Sequence, residues 1–275
     1  MKRVLLALCM MLSTGFMIAG EEFVSGKYTF EITSSTEVRL ERANTTRQFL
    51  NLAPTISYEG TTYRVTSIGN YAFYHCTSLV SVTIPNGVKS IGNRAFEGCR
   101  ALTSLTIPAS VTEIGWGAFA DCSALTVINI PNGVTEIKTS TFRGCSALRS
   151  VVVPENVMTI GWYAFANCES LKSITIPNSV GNMNRAFDNC TSLESITIPN
   201  SERSIAGFRG CISLRSVIIP SSIQYISGQS FSGCKSLTEI YYRGTKAQWG
   251  SILKDNWNEL SYIQVIHCTD GDVWL

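Results

Sequence analysis

Cysteine is the residue in this sequence whose number and spacing ask for a chemical explanation. Eight of the ten cysteines stand at positions 76, 99, 122, 145, 168, 190, 211 and 234, in steps of 23, 23, 23, 23, 22, 21 and 23 residues. A thiol can serve as a nucleophile, a metal ligand or half of a disulfide. A metal site is poorly served, because no C-x-x-C pair exists and the two histidines, His75 and His267, lie far apart in the chain. The same scarcity of histidine removes the usual general base. There is no G-x-S-x-G elbow, no phosphate-cradling glycine loop and no H-E-x-x-H helix. No catalytic, cofactor-binding or metal-ligating residue is therefore assigned, and the chain is expected not to be an enzyme.

The cysteines belong to a longer phrase. FYHCTSLVSVTIP (73–85) returns as FEGCRALTSLTIP (96–108), FADCSALTVINIP (119–131) and FRGCSALRSVVVP (142–154), with four further copies ending at FSGCKSLTEIYYR (231–243). A period of 20–29 residues carrying L-x-x-[VIL]-x-[VIL] is the pattern of a leucine-rich repeat, in which each unit forms one coil of a solenoid. Leu102, Leu105 and Ile107 are expected to point inward from a short strand. Pro108 ends that strand because it has no N–H for the ladder. Val111 and Ile114 face the core from the returning arm, and Phe119 fills the interior. One coil cannot bury its apolar side alone, so coils stack about 5 Å apart through a parallel sheet. The expected fold is a repeat solenoid with a parallel β-ladder, about eight coils of 21–23 residues, capped at both ends. Val82, Leu105, Ile128, Val151, Ile174, Ile196, Val217 and Ile240 form its inward ladder. Stacked cysteines then have β-carbons about 5 Å apart, outside the roughly 3.5–4.5 Å of a disulfide. A ladder of small buried thiols is the favoured reading, with bridges between neighbouring coils as the alternative.

The phrase F-x-x-C-x-x-L-x-x-[VI]-x-I-P, followed by x-x-V-x-x-I-G-x-x-A-F, resembles the BspA-like leucine-rich repeat family over residues 65–242. The lead-in ISYEGTTYRVTSIG and the closing YYRGTKAQWGSI and IHCTDG are similar to that family's flanks. The resemblance implies a bacterial secreted or surface protein engaged in adhesion, including attachment to host matrix proteins and other microbes.

The chain divides into four parts. Residues 1–20 read as a signal peptide: Lys2 and Arg3, an apolar run from Val4 to Ala19, then Glu21 and Glu22. An N-terminal membrane anchor is the alternative. No cysteine stands where a lipoprotein cut requires one, so the exported chain is expected to carry no lipid. Residues 21–64 alternate in hydropathy (Tyr28, Phe30, Ile32, then Val38, Leu40) and are expected to form an antiparallel β cap. Residues 65–242 are the solenoid. Residues 243–275 are the C-terminal cap, where T-K-A-Q (245–248) fits a capping box opening a short helix through Leu253. Trp249, Ile252 and Trp257 then seal the last coil, with residues 262–268 as a final strand. Coils six and seven have lost one and two residues, which is expected to tighten or bend the stack.

A formal net charge of +2 with 15% charged residues, evenly mixed, gives no nucleic-acid footprint. Nothing after the leader is apolar enough to enter a membrane. What remains is surface. Outward strand positions are rich in Ser and Thr, with a break at Val127, Asn129 and Val152. The returning arm carries aromatics that the repeat does not require: Tyr71, Trp116, Trp162 and Tyr163. Trp116 and Trp162 share one slot two coils apart, about 10 Å. They are either interface anchors or patches over neighbouring Gly and Ala. A weak basic strip runs through Arg143, Arg149, Lys172 and Arg215. The expected function is an exported, monomeric, adhesin-type module binding a protein or glycan on a host or microbial surface, without a cofactor. The alternatives are a periplasmic or secreted scaffold for a self partner and, more distantly, an enzyme.

Overall fold

The structure, a computed structural model, describes residues 19–255 and 260–275. The proposed leader therefore lies almost wholly outside the described residues, as does Trp257. Among the described residues no helix is long and apolar enough to cross a membrane.

Each repeat folds as one coil with a tight corner and, in all but the coil of Ser173–Thr175, two short strands. The first strand of every coil joins a parallel ladder in strict one-to-one register: Val82 pairs with Leu105, Leu105 with Ile128, Ile128 with Val151 and Val151 with Ile174. All of these side chains are buried. Alternation turns their neighbours outward. The following proline closes the strand, and Val111 and Ile114 turn back into the core from the second ladder, where Glu113–Ile114 pairs with Ser90–Ile91.

The corner is built by the phenylalanine and the cysteine. Phe73, Phe96, Phe119, Phe142, Phe165, Phe187, Phe208 and Phe231 form one continuous stack through the interior. Successive ring centroids lie 4.8–5.8 Å apart, with planes within 12° of parallel. Each buried cysteine donates its thiol hydrogen to the phenylalanine carbonyl of the preceding coil. Cys99 reaches Phe73 at 3.1 Å, Cys145 reaches Phe119 at 3.2 Å and Cys234 reaches Phe208 at 2.9 Å. All nine described cysteines are free thiols. Glycine 115 shows how close the coils come: a β-carbon there would sit 2.4 Å from the Asn93 amide nitrogen of the coil before.

The ladder has ten rungs, where the repeat phrase predicts about eight coils. Phe49–Asn51 adds one rung, pairing in parallel with Ser81–Thr83, and Val265–Cys268 adds another, pairing in parallel with Glu239–Tyr242. Segment 21–64 is thus not purely antiparallel. Glu22–Ser25, Tyr28–Ser34 and Glu37–Ala43 form an antiparallel meander, but Glu37–Ala43 then pairs in parallel with Thr61–Ile68. At the far end Lys246–Ser251 is a short helix with both reciprocal capping bonds between Thr245 and Gln248, and it stops before Leu253. Trp249 and Ile252 are buried there. A strand absent from the sequence reading, Gly271–Trp274, folds back antiparallel on Val265–Cys268.

Both ladders are interrupted at the shortened coils, and the returning ladder breaks once more between Glu113–Ile114 and Glu136–Ile137. The long sheet ends at Ser173–Thr175 and a second begins at Ser195–Thr197. On the returning arm no strand forms between Thr159–Ile160 and Ser204–Ile205. The phenylalanine stack runs through this break undisturbed, at 5.6 and 5.7 Å. Glu202 stands at the break, in the slot that Val88, Val111, Val134, Val157 and Val180 fill elsewhere. It is 3% exposed, and its Oε1 has no hydrogen-bond partner among the described residues. Burial pushes its carboxyl above the ordinary range, against the pull of the Arg203, Met183 and Ser204 amides. The carboxylate thus answers amides that the missing strand leaves without a ladder.

This packing sets the cost of three substitutions. Removing a ring from the middle of the stack leaves a cavity bounded by two fixed neighbours, so Phe142→Ala should cost about 3–5 kcal/mol. Cys145→Ala should cost only about 1 kcal/mol, because the Phe119 carbonyl also accepts the Cys122 amide at 3.3 Å. Urea unfolding of the three proteins measures both; equal losses would contradict the account. For Glu202 the raised folded-state value means that its stabilising contribution is complete below the unfolded carboxyl range and is lost as pH rises through the folded value. Glu202→Gln should therefore stabilise by about 1 kcal/mol at pH 7, with the gain vanishing below about pH 4. Thermal midpoints between pH 3.5 and 8 test this, and a gain independent of pH would refute it.

Candidate functional site

Six of the eight coils turn their corner through two residues in the left-handed region; the coils of Phe208 and Phe231 keep only the second. One precedes the Ala-Phe pair and the other precedes the cysteine. The first slot holds Tyr71, Arg94, Gly117, Ser140, Tyr163 and Arg185, with φ between +52° and +61°. The second holds His75, Gly98, Asp121, Gly144, Asn167, Asn189, Gly210 and Gly233. Such φ values favour Gly, Asn and Asp, and the second slot mostly obeys. The first slot tolerates Tyr and Arg, although their β-carbons are costly there. Because the conformation recurs coil after coil, it belongs to the architecture and not to one special position.

Four of the seven candidate binding residues sit on this corner. Trp116 and Trp162 occupy the position just before the first left-handed slot, which elsewhere holds Asn70, Asn93, Thr139 and Asn184. They are 38% and 53% exposed. Their surroundings differ. The Arg94 guanidinium lies 4.4 Å over the Trp116 ring and is held by Glu97 at 3.2 Å. Gly117 leaves room for this, since a β-carbon there would come within 3.2 Å of Arg94 Cγ. Trp162 instead meets Tyr163 edge-on at 6.4 Å. Arg185 donates to the Tyr163 hydroxyl at 2.9 Å and to Gln229 Oε1 at 3.1 Å. Beside Tyr163 lies an open depression lined by Arg143, Asn167, Arg185, Asp188 and Arg209. Tyr71 is exposed at the first coil, edge-on to Tyr74 at 5.4 Å, and Tyr74 packs on His75 at 4.2 Å.

The other three candidates lie on a different side of the coil. Val127, Asn129 and Val152 are exposed on the long sheet, where Val127 pairs with Ser150 and Asn129 with Val152. They interrupt two outward columns. One column runs Phe49, Ser81, Ser104, Val127, Ser150, Ser173, and the other Asn51, Thr83, Thr106, Asn129, Val152, Thr175. Val152, 71% exposed, makes the apolar break unmistakable. The structure therefore does not bring all seven residues into one site. It makes an aromatic and cationic corner and, separately, a hydroxyl-rich face.

Sequence reasoning missed Arg94, Arg185, Arg209, Tyr74 and His75 as companions of the aromatics. The available signal was their spacing from each corner phenylalanine, which repeats with the coil. The basic strip divides: Arg143 lines the depression at the corner and pairs with Asp121 at 2.8 Å. Arg149, Lys172 and Arg215 lie on the approach to the strands, joined rung to rung through Glu194 by backbone bonds.

The thiols have little reactivity to offer. Burial pushes the Cys122, Cys168 and Cys190 thiols above the ordinary cysteine value, Cys190 to about 12, which disfavours the reactive thiolate. Among the described residues no group of three His, Cys, Asp or Glu side chains is placed to hold a metal ion. At the C-terminal end His267 faces Asp272 at 3.0 Å and stacks on Tyr241 at 4.8 Å.

A parallel ladder of equal coils, a continuous core and variable exposed corners define a leucine-rich repeat solenoid. The family described as the BspA type leucine rich repeat region matches residues 66–186 and 182–264 in six copies, and the chain belongs to it. Among solved structures it is similar to a T. pallidum leucine rich repeat protein, at 25% identity and a TM-score of 0.50, covering 79% of this chain and 91% of that one. It is also similar to a leucine rich cell surface protein from Faecalibacterium prausnitzii (23% identity, TM-score 0.47, 89% and 99% covered). A leucine-rich repeat protein from Bacteroides ovatus is similar as well (26%, 0.41, 81% and 86%). No curated protein matches the chain.

Proposed function

We propose that this chain is an exported, non-enzymatic recognition module that holds a protein or glycan on a host or microbial surface. It acts as a rigid platform, making many modest contacts across several coils. The observation that carries the reading is the pair Trp116 and Trp162. Both are large aromatics left half in solvent at a slot where four other coils carry Asn or Thr. Half-exposed Trp beside Arg is the composition that dominates binding energy at protein interfaces. The coil itself does not call for Trp at this slot, so the stability of the fold does not account for the choice.

The mechanism follows from rigidity. The stacked core fixes the corner residues before any partner arrives, so little conformational entropy is lost on binding. Arg94 over Trp116 and Arg185 on Tyr163 further restrain the side chains that would make contact.

Two experiments test the reading. Trp116→Ala combined with Trp162→Ala should leave the thermal midpoint within a few degrees, because neither ring is buried. It should lower retention on matrix-protein and glycan arrays about tenfold or more. Undiminished retention would remove these residues from the site. Protease shaving of intact producing cells, with assay of the medium, tests the location: surface release or presence in the medium is expected. Protection until the envelope is broken would redirect the search to a partner within the same cell.

A further inference from the structure

The N-terminal segment contains a cavity that neither the repeat nor the recognition surface explains. It opens between the turn after Glu22–Ser25 and the stretch from Arg47 to Ile56, with a volume of about 350 Å³. Phe30, Leu40, Leu52, Ile56 and Val65 give it apolar walls. Lys27 and Arg47 are the only charged residues in its lining. Both are exposed, and neither forms an ion pair with any described residue. No carboxylate lines the cavity, and Glu31 and Glu41 of the same sheet hold Arg39 while Glu37 holds Arg64. An adjoining depression adds Arg42 to Lys27 and likewise includes no carboxylate.

An apolar pocket of this size with a few charged groups at its mouth has the make-up of a small-molecule site. From this arrangement we infer that the N-terminal segment binds a free amphipathic anion, with a single apolar tail or ring system in the cavity and its acidic head at Lys27 and Arg47. The volume accommodates one such tail and no folded partner. Charge selects the class: a cationic or neutral amphiphile of the same length gains the apolar walls but nothing at the rim. This site is independent of the corner tryptophans, so the two assignments stand or fall separately.

Titration of the ¹⁵N-labelled full chain with sodium decanoate, below its micellar range, tests the inference. Saturable amide shifts are expected at Lys27, Tyr28, Asn51 and Leu52. Lys27→Gln with Arg47→Gln should weaken decanoate about tenfold while leaving decanol binding unchanged. Ala53→Trp, which places a ring in the lining, should abolish shifts for both. The inference is overturned by an absence of saturable shifts. It is equally overturned by shifts centred on another surface, by decanol binding as tightly as decanoate, or by unchanged affinity in the charge variant.

Discussion

The fold depends on one doubly used acceptor. A backbone carbonyl has two lone pairs, and in this chain each corner phenylalanine spends both of them locally. Phe96 O accepts the Cys99 amide of its own coil at 3.1 Å and the Cys122 thiol of the next coil at 3.1 Å. The first bond closes the corner and the second sets the distance to the neighbour. The phenylalanine amide makes a third tie, Phe96 N to Ala118 O at 2.7 Å. With the backbone held on both sides, the rings have no choice but to stack. A thiol suits this position because it is small, buries cheaply and still donates. A residue without a donor would leave the corner closed but less firmly joined to its neighbour, and a larger one would push the coils apart.

This explains why so much of the fold was legible in the sequence. Phe, Cys, Leu and Pro recur because each is required once per coil, and their spacing reads out the inward ladder residue by residue. The last strand was legible within 262–268, but not its parallel pairing as a further rung, and Phe49–Asn51 was not legible at all, because neither Phe49–Asn51 nor Val265–Cys268 is preceded by the corner F-x-x-C phrase. They are recruited by the exposed edge of the neighbouring strand, a tertiary effect without a local motif. The same holds for the site. Trp116 and Trp162 stand out by breaking a repeated slot, whereas Arg94 and Arg185 are ordinary residues until the stack places them against the rings. Gly, Asn and Asp before most cysteines were a readable sign of the left-handed corner. Lys27 and Arg47 belong to no period at all, and only the cap brings them to one cavity.

The interruption at coils six and seven separates two roles that the regular coils combine. Both hydrogen-bonded ladders stop there, yet the phenylalanine stack and the thiol bonds continue, Cys190 to Phe165 and Cys211 to Phe187 both at 3.2 Å. Continuity of the solenoid therefore rests on the corner more than on the sheets. The sheets supply register and a flat outer face, and their ladder bonds can be dropped between coils, as they also are on the returning arm between Glu113–Ile114 and Glu136–Ile137. Glu202 belongs to the same substitution of means. A carboxylate takes over for a missing strand, at the expense of an oxygen left unpartnered in the core.

An interior this repetitive has a consequence for recognition. Since backbone bonds within and between coils carry most of the fold, with a few side chains such as Asn70 and Asn93 taking amides of the next coil, most outer positions are free to differ from coil to coil. The left-handed corner slots project those positions from a backbone that cannot relax. A tryptophan placed beside such a slot is held at a fixed height and spacing, and the absence of a β-carbon at Gly117 gives Arg94 room to settle on it. The hydroxyl columns of the sheet face have no comparable scaffolding: their Ser and Thr side chains are short, individually weak and solvated. Between two exposed surfaces of one rigid body, the one with large, pre-positioned rings has more free energy to offer a partner, and that asymmetry favours the corner over the sheet as the binding side.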